Sequence, residues 1–332
     1  MTELKEMLNC LDQVGIVVKD IEKTKAAMKQ LFDLEPSKEQ VAYHKNVLYR
    51  GKPSKPGARI LVYNFCNIEI EIMSPIGNEK SAWKEFADVH GEGLHHIRFN
   101  IADHEAVKQA LAKKGIEAFY CGDSMLGGGV KFAYYDAGPD LGVIIETLNI
   151  REFAKGENDI ISEKSKLAGE NIGILKEELK HLDQIAVVVK DIDKAKTVMK
   201  YIFDLDPADD VVKSHKNTLY RGEPSNCKVR ILVYDFCNIE IEIMSPVNDE
   251  KNLWQDFIDE HGFGLHHIRF SIQDHEGVKK ALLEKGATIH QSGDSTHGKG
   301  IKFAYYDLGP ALGFVLETLN CSSDVSKKNP EL

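Results

Sequence analysis

The stretch CNIEIEIMSP, residues 66–75, recurs unchanged at 237–246. Working outward from it, residues 10–150 align with 181–321 without a gap, and roughly 60% of paired positions are identical. LDQVGIVVKDI at 11–21 answers LDQIAVVVKDI at 182–192, GLHHIRF at 93–99 returns at 264–270, and KFAYYD at 131–136 returns at 302–307. The chain is a tandem duplication of one domain. It divides into a first domain (1–150), a charged linker with a lead-in helix (151–180), a second domain (181–321) and a tail (322–332). The lead-in helix, around Ile172 to Lys180, matches Glu3 to Leu8 before the first copy.

Within one copy the periodicity predicts two similar halves. Strands are expected at Gln13 to Val18, Val47 to Tyr49, Arg59 to Phe65 and Ile68 to Met73, with a helix over Ile21 to Leu31. The second half predicts a strand at His95 to Asn100 and a helix from about His104 to Lys114. Further strands follow near Ile116 to Tyr120, Val130 to Tyr135 and Val143 to Leu148. Each half is a strand-helix-strand-strand-strand module.

Period two decides which side chains share a face. Ile68, Ile70 and Ile72 point one way, so Glu69 and Glu71 point the other. Gln13 shares a face with Gly15 and Val17, and His96 shares one with Arg98, opposite Ile97 and Phe99. Glu146 interrupts VIIETL, where an unpartnered carboxylate is costly. Each feature alone is compatible with a solvated face or a structural histidine. Together, Gln13, Glu71, His96 and Glu146 supply one polar inward candidate on each of four strands, and Gln184, Glu242, His267 and Glu317 repeat the set. Three oxygens and one imidazole nitrogen suit a divalent ion such as zinc, cobalt, nickel or manganese, with open positions for water or substrate. No thiolate belongs to the set, which argues against a closed structural zinc site.

Composition narrows the function classes. In 332 residues, 42 Lys and Arg against 52 Asp and Glu give a net charge of -10, which argues against nucleic acid as a partner. Apolar runs such as Ile16 to Val18 are far too short to span a bilayer, and the first residues carry no secretory signal, so a cytoplasmic location away from membranes is expected. The six cysteines, without a CxxC pair, read as free thiols.

The segments LDQVGIVVKD, IEIMSP, GEGLHHIRF and GVIIETLN, in that order and spacing, resemble the vicinal oxygen chelate superfamily, most nearly methylmalonyl-CoA epimerase and glyoxalase I, over nearly all of both copies. The resemblance implies an α+β fold of four βαβββ modules. These form two glyoxalase/bleomycin resistance/dioxygenase-like domains, each a cup-shaped mixed sheet around one divalent metal. It places the ligands at Gln13, Glu71, His96 and Glu146 and at Gln184, Glu242, His267 and Glu317, with the exchangeable base at Glu146 and Glu317. His96 is preferred to His95, which is assigned a surface or packing role. Glutamine at 13 and 184 resembles the zinc type of glyoxalase I, whereas the epimerase has histidine there. The epimerase's additional carboxylate has no counterpart around Lys55 to Arg59 or Asn226 to Arg230.

Arg98 and Arg269 stand where many relatives have a small residue. They are candidates for binding an anionic substrate, with pairing to Glu69 and Glu240 as the alternative. Tyr134, Tyr305, His44 and His215 are candidate second acids or packing groups. The resulting expectation is a metal-dependent isomerase or epimerase that takes a proton from the carbon next to a carbonyl, on a small anionic or thioester substrate, with two sites per chain. The first alternative is a lactoylglutathione lyase; the second is a small-molecule binding or resistance protein. The chain is expected to be a monomer of two fused domains or a homodimer. Each site is completed either within one copy or by exchange, with Gln13 and Glu71 joined by His267 and Glu317. The loops from Gly122 to Gly129 and Gly293 to Gly300 differ at Met125/Thr296 and Leu126/His297, so the two sites need not be equivalent.

Overall fold

The computed structural model describes residues 4–65, 67–150, 173–236, 238–309 and 311–321. Most of the linker and the tail beyond 321 lie outside these residues, as do Cys66 and Cys237. The first copy runs α1 (Leu4–Met7), β1 (Leu11–Val17), α2 (Ile21–Phe32), β2 (Lys38–Ala42), β3 (Lys45–Tyr49), β4 (Lys52–Pro53), β5 (Gly57–Phe65) and β6 (Ile68–Ile76). It continues through α3 (Ala82–Val89), β7 (Gly93–Asn100), α4 (His104–Lys113), β8 (Ala118–Asp123), β9 (Lys131–Asp136) and β10 (Ile144–Leu148). The second copy repeats the strands as β11 (Leu182–Val188), β12 (Asp209–Lys213), β13 (Lys216–Tyr220), β14 (Glu223–Pro224), β15 (Val229–Phe236), β16 (Ile239–Pro246), β17 (Gly264–Ser271), β18 (Thr288–Asp294), β19 (Lys302–Asp307) and β20 (Val315–Leu319).

Each copy forms one ten-stranded mixed sheet. In the first its order is β2-β5-β6-β1-β7-β10-β9-β8-β3-β4, and the second has the equivalent order. β1 joins the halves: it pairs parallel with β6 and antiparallel with β7. The sheet curls so that one face encloses a cup, into which α3 sets Ala82 and Trp83, while α1, α2 and α4 cover the other face.

Three features depart from the predicted module. β2, KEQVA, is a strand missed by periodicity because it lies at the sheet edge and is mostly exposed, so charged residues are tolerated there. The β3–β4 hairpin leaves its own half and pairs with β8 of the other. α3, only 8 residues long, begins where the Ser81 side chain accepts from Lys84 N. α2 shows why the predicted helix forms: Asp20 accepts from Lys23 N, Asp33 ends it at φ 55°, and Ile21, Met28, Leu31 and Phe32 face the core.

The outward faces of both sheets merge into one hydrophobic core, in which Val14, Ile16, Ile72 and Ile97 join Ile185, Ile243 and Ile268. Phe99 meets Phe236 edge-on, with ring centroids 5.5 Å apart. The copies are tied by a reciprocal cap. Asn67 accepts from Leu182 N at 2.8 Å and donates to Leu182 O at 3.1 Å, while Asn238 accepts from Leu11 N at 3.2 Å and donates to Leu11 O at 2.9 Å. Each asparagine satisfies the backbone of the first residue of the other copy's central strand. Among the described residues Cys10, Cys121, Cys227 and Cys321 form no disulfide, and no helix is long and apolar enough to cross a membrane.

Replacing Asn67 and Asn238 together with alanine is expected to lower stability by about 1–2 kcal/mol per site, because each change leaves a half-buried N–H and C=O of the other copy unpaired. Urea unfolding monitored by circular dichroism measures it; an unchanged midpoint would show that the caps contribute nothing.

Candidate metal centres

β1 places the donors of each cup. In the first copy Gly15 lies opposite Glu71 on one side and His96 on the other, and Gln13 lies opposite Glu69 and Arg98. β10 then sets Glu146 beside Arg98. His96 Nε2 lies 3.0 Å from Glu146 Oε2 and 3.9 Å from Glu71 Oε2, and the Glu71, His96 and Glu146 donor atoms all lie within 4.8 Å of one another. The second copy repeats this with His267 Nε2 at 3.0 Å from Glu317 and 3.7 Å from Glu242. Gln13 and Gln184 sit on the same cup faces, and their amide nitrogens donate to Glu69 and Glu240 at 3.2 Å. Each set is assembled within one copy; no exchange between copies is involved.

The chemistry of these atoms fits a cation. Gln13 Oε1, His96 Nε2 and Glu146 Oε2 are buried and, among the described residues, make no well-formed hydrogen bond; Gln184 Oε1, His267 Nε2 and Glu317 Oε2 repeat the pattern. Six polar atoms withdrawn from water and left without a well-formed hydrogen bond are costly. A divalent ion at each centre, with Glu71 or Glu242 as a further carboxylate donor, satisfies them.

Two β-bulges bring additional groups into each cup. Along the β1–β7 ladder, Gly15 pairs with His96 but Ile16 pairs with Leu94, so His95 is the extra residue. Strict alternation predicts that it turns away. Instead it is buried, edge-on to Phe86, with its Nδ1 2.9 Å from His96 Nδ1. A His96 whose Nε2 lone pair is free carries its proton on Nδ1 and donates it to His95. That contact fixes tautomer and ring orientation, the usual task of a group behind a metal histidine. His266 and His267 repeat the contact at 2.8 Å. Of the surface or packing role expected for His95 and His266, the surface half is excluded: both are buried, pack edge-on against Phe86 and Phe257, and in addition back the candidate ligands His96 and His267. The doubled histidine in GLHHIRF was the available signal.

The second bulge leaves Asp12 unpaired between Leu11 and Gln13, on the side of Arg98. Asp12 accepts from Arg98 Nε and Nη2 at 2.9 and 3.0 Å, and Glu69 accepts from Nη2 at 3.0 Å. The Arg98 guanidinium is therefore occupied by two carboxylates. Arg269 donates to Glu240 at 2.9 Å, but Asp183 turns to Ser271 N and His181. Tyr134 and Tyr305 lie against the metal histidines, with ring centroids 5.1 and 5.0 Å away. His44 and His215 pack on Phe132 and Phe303 at 4.6 Å, and burial lowers each to about 4, so both are neutral.

Burial and the neighbouring Glu146 push Glu71 up to about 8; burial and Glu317 push Glu242 up to about 7. Burial also takes Glu146 up to about 7, against the pull of Arg98. Burial acts on Glu317 too, but His267 and Arg269 outweigh it and hold that carboxyl below its usual range. Burial, with Arg98, lowers His96 to about 3.

A duplicated, curled sheet with an orphaned oxygen and nitrogen donor set in each cup defines a family. The chain belongs to the Glyoxalase/Bleomycin resistance protein/Dioxygenase superfamily, the vicinal oxygen chelate fold, matched over residues 12–134 and again over 183–305. Among solved structures, a triple mutant of 4-hydroxymandelate synthase from Streptomyces coelicolor is similar over 94% of this chain and 92% of its own, at 12% identity and TM-score 0.61. Methylmalonyl-CoA epimerase from Mycobacterium tuberculosis is similar over 45% of this chain and 91% of its own, at 20% identity and TM-score 0.34. No curated protein sequence matches the chain.

Metal binding should displace protons. Below about pH 8 the metal-free cups hold carboxyl protons that a cation must expel, so affinity is expected to fall steeply as pH drops from 8 to 6. Competition with a chromophoric chelator across that range measures it; an affinity independent of pH would contradict the protonated state assigned to Glu71 and Glu242.

Proposed function

We propose that the protein is a divalent-metal-dependent enzyme of the carbon-acid type, an isomerase or epimerase that moves a proton on the carbon next to a carbonyl, with one site in each cup. The observation that carries this reading is the orphaned set of Gln13 Oε1, His96 Nε2 and Glu146 Oε2, duplicated in Gln184, His267 and Glu317. Zinc, cobalt, nickel or manganese suits one imidazole with three oxygens; the two-histidine, one-carboxylate set of ferrous oxygenases is not what the cups present. A bound divalent ion supplies Lewis acidity, which makes a neighbouring C–H more acidic.

The rest of the task falls to the chain. Gln13 and His96 are held in place from behind, by Glu69 and His95, so they serve as fixed donors. Glu146 Oε2 and Glu317 Oε2, free of hydrogen bonds, are the atoms suited to accept a proton and return it. Their neighbours across the ladder, Tyr134 and Tyr305, are buried hydroxyls able to steady the carboxylate as its charge changes. Apolar walls including Val17, Met73, Trp83 and Phe132 keep bulk water out of the first cup. Returning the proton to the opposite face gives epimerisation; returning it to the neighbouring carbon gives isomerisation.

Glutamine at 13 and 184 favours a second reading, a lactoylglutathione lyase, for which turnover of a hemithioacetal is the discriminating assay. A binding or resistance protein fits less well, because both copies retain all four donors.

Elemental analysis should find two divalent ions per chain in the wild type, and few or none in Glu146→Ala combined with Glu317→Ala. The wild type should also catalyse metal-dependent solvent deuterium uptake into carbonyl or thioester substrates, reduced at least about a hundredfold in the double variant. Wild type without metal would remove the proposal and leave a binding module; bound metal without any exchange would exclude carbon-acid chemistry on those substrates.

A further inference from the structure

The two cups share their donors but differ around them. Where the first copy has Ala42 and Leu126, the second has Lys213 and His297. Lys213, half-buried at the end of β12, donates from Nζ to His297 Nε2 at 3.2 Å, and His297 Nδ1 lies 2.8 Å from Ser295 Oγ. His297 accepts at one nitrogen and donates at the other, so it is neutral and does not itself balance the lysine charge, which faces the carboxylates Glu242, Glu317 and Asp209.

Deeper in the second cup, three donors are unspent among the described residues: Arg269 Nε, Trp254 Nε1 and Gln291 Nε2, on residues 8%, 1% and 0% exposed. In the first cup the equivalents are used or replaced. Asp12 accepts from Arg98 Nε, Tyr134 Oη accepts from Trp83 Nε1 at 3.3 Å, and Tyr120, whose hydroxyl is likewise unspent among the described residues, stands in place of Gln291. Buried N–H groups without acceptors are rare in folded proteins and mark places where a ligand supplies the acceptor. The rim of the first cup carries Tyr43, Met125 and Leu126, 58%, 46% and 53% exposed, with Met125 Sδ 3.0 Å from Tyr43 N. Their equivalents are Ser214, Thr296 and His297. The first mouth has apolar tips and an exposed Lys38 at the start of β2; the second has Asp209 in place of that lysine, and sets half-buried Lys213 with the spare donors where the first has Ala42.

We infer that the two cups have diverged in specificity: the second takes a small metal-chelating ligand whose tail bears an anionic group, carboxylate or phosphate, anchored by Lys213, and the first takes one with an uncharged apolar tail. This rests on the metal-dependent reading proposed above.

The test isolates each cup. His96→Ala with Glu146→Ala leaves only the second; His267→Ala with Glu317→Ala leaves only the first. Each protein is loaded with cobalt(II) and titrated with butyrohydroxamate, succinohydroxamate and 3-phosphonopropanohydroxamate, which share a chelating head and differ in tail. Binding is followed by the cobalt visible spectrum and by calorimetry. The second cup should prefer one of the anionic tails by about tenfold, the first the uncharged tail by a similar factor. The better of the two anionic tails separates a carboxylate from a phosphate ligand. Lys213→Met should reduce the anionic preference to parity, and Lys213→Arg should retain it. Equal preferences in the two cups, or a preference that survives Lys213→Met, would overturn the inference while leaving the metal reading intact. Failure of both cups to bind cobalt or any hydroxamate would instead overturn the metal reading, and the inference with it.

Discussion

Everything in each copy depends on one strand with two neighbours. β1 is bonded to β6 in parallel and to β7 in the opposite sense, so the two halves become a single sheet and the polar residues of three strands meet on its inner face. In the first copy Gly15, at the centre, leaves the room that the His96 ring takes, since a Cβ there would stand 1.8 Å from His96 Cε1; the second copy has Ala186 at this place and still holds His267 beside Glu317. The outer face of the same strand holds Val14 and Ile16 in the shared core. A polar interior is tolerated here because the core on the other side of the sheet stabilises the fold, and because the buried donors are arranged for a cation to satisfy.

Much of the centre was legible without coordinates. Glu146 amid VIIETL and the paired glutamates of IEIEIM are anomalies on apolar strands, and repetition in a second copy makes coincidence an unattractive explanation. What alternation misplaced were the residues at bulges. His95 and Asp12 each interrupt the period of two, and a bulge depends on how a strand pairs with its neighbour, which no single strand reveals. The β3–β4 hairpin was hidden for a related reason: the strand expected at Val47 to Tyr49 does not by itself name the half it joins.

Duplication gives the molecule an internal comparison. The donors are identical between copies, whereas the surroundings have drifted, as with Asp12 holding Arg98 while Asp183 holds Ser271 N and His181 instead. An unchanged candidate donor set in a changed wall is what the proposed divergence of the two cups requires. The reciprocal asparagine caps are unchanged in both copies, as a contact requires when each half depends on the other.

By itself the sequence determined the duplication and the class of fold and picked out the candidate donor residues, because these follow from period, repeat and the cost of burying charge. Tertiary structure alone decided that each centre is completed within its own copy, that His95 orients His96, that Arg98 is occupied by carboxylates, and that the two cups differ in unspent donors. Those outcomes depend on strand register and on which side chains meet across the cup, quantities that arise only when distant segments are brought to hydrogen-bonding distance.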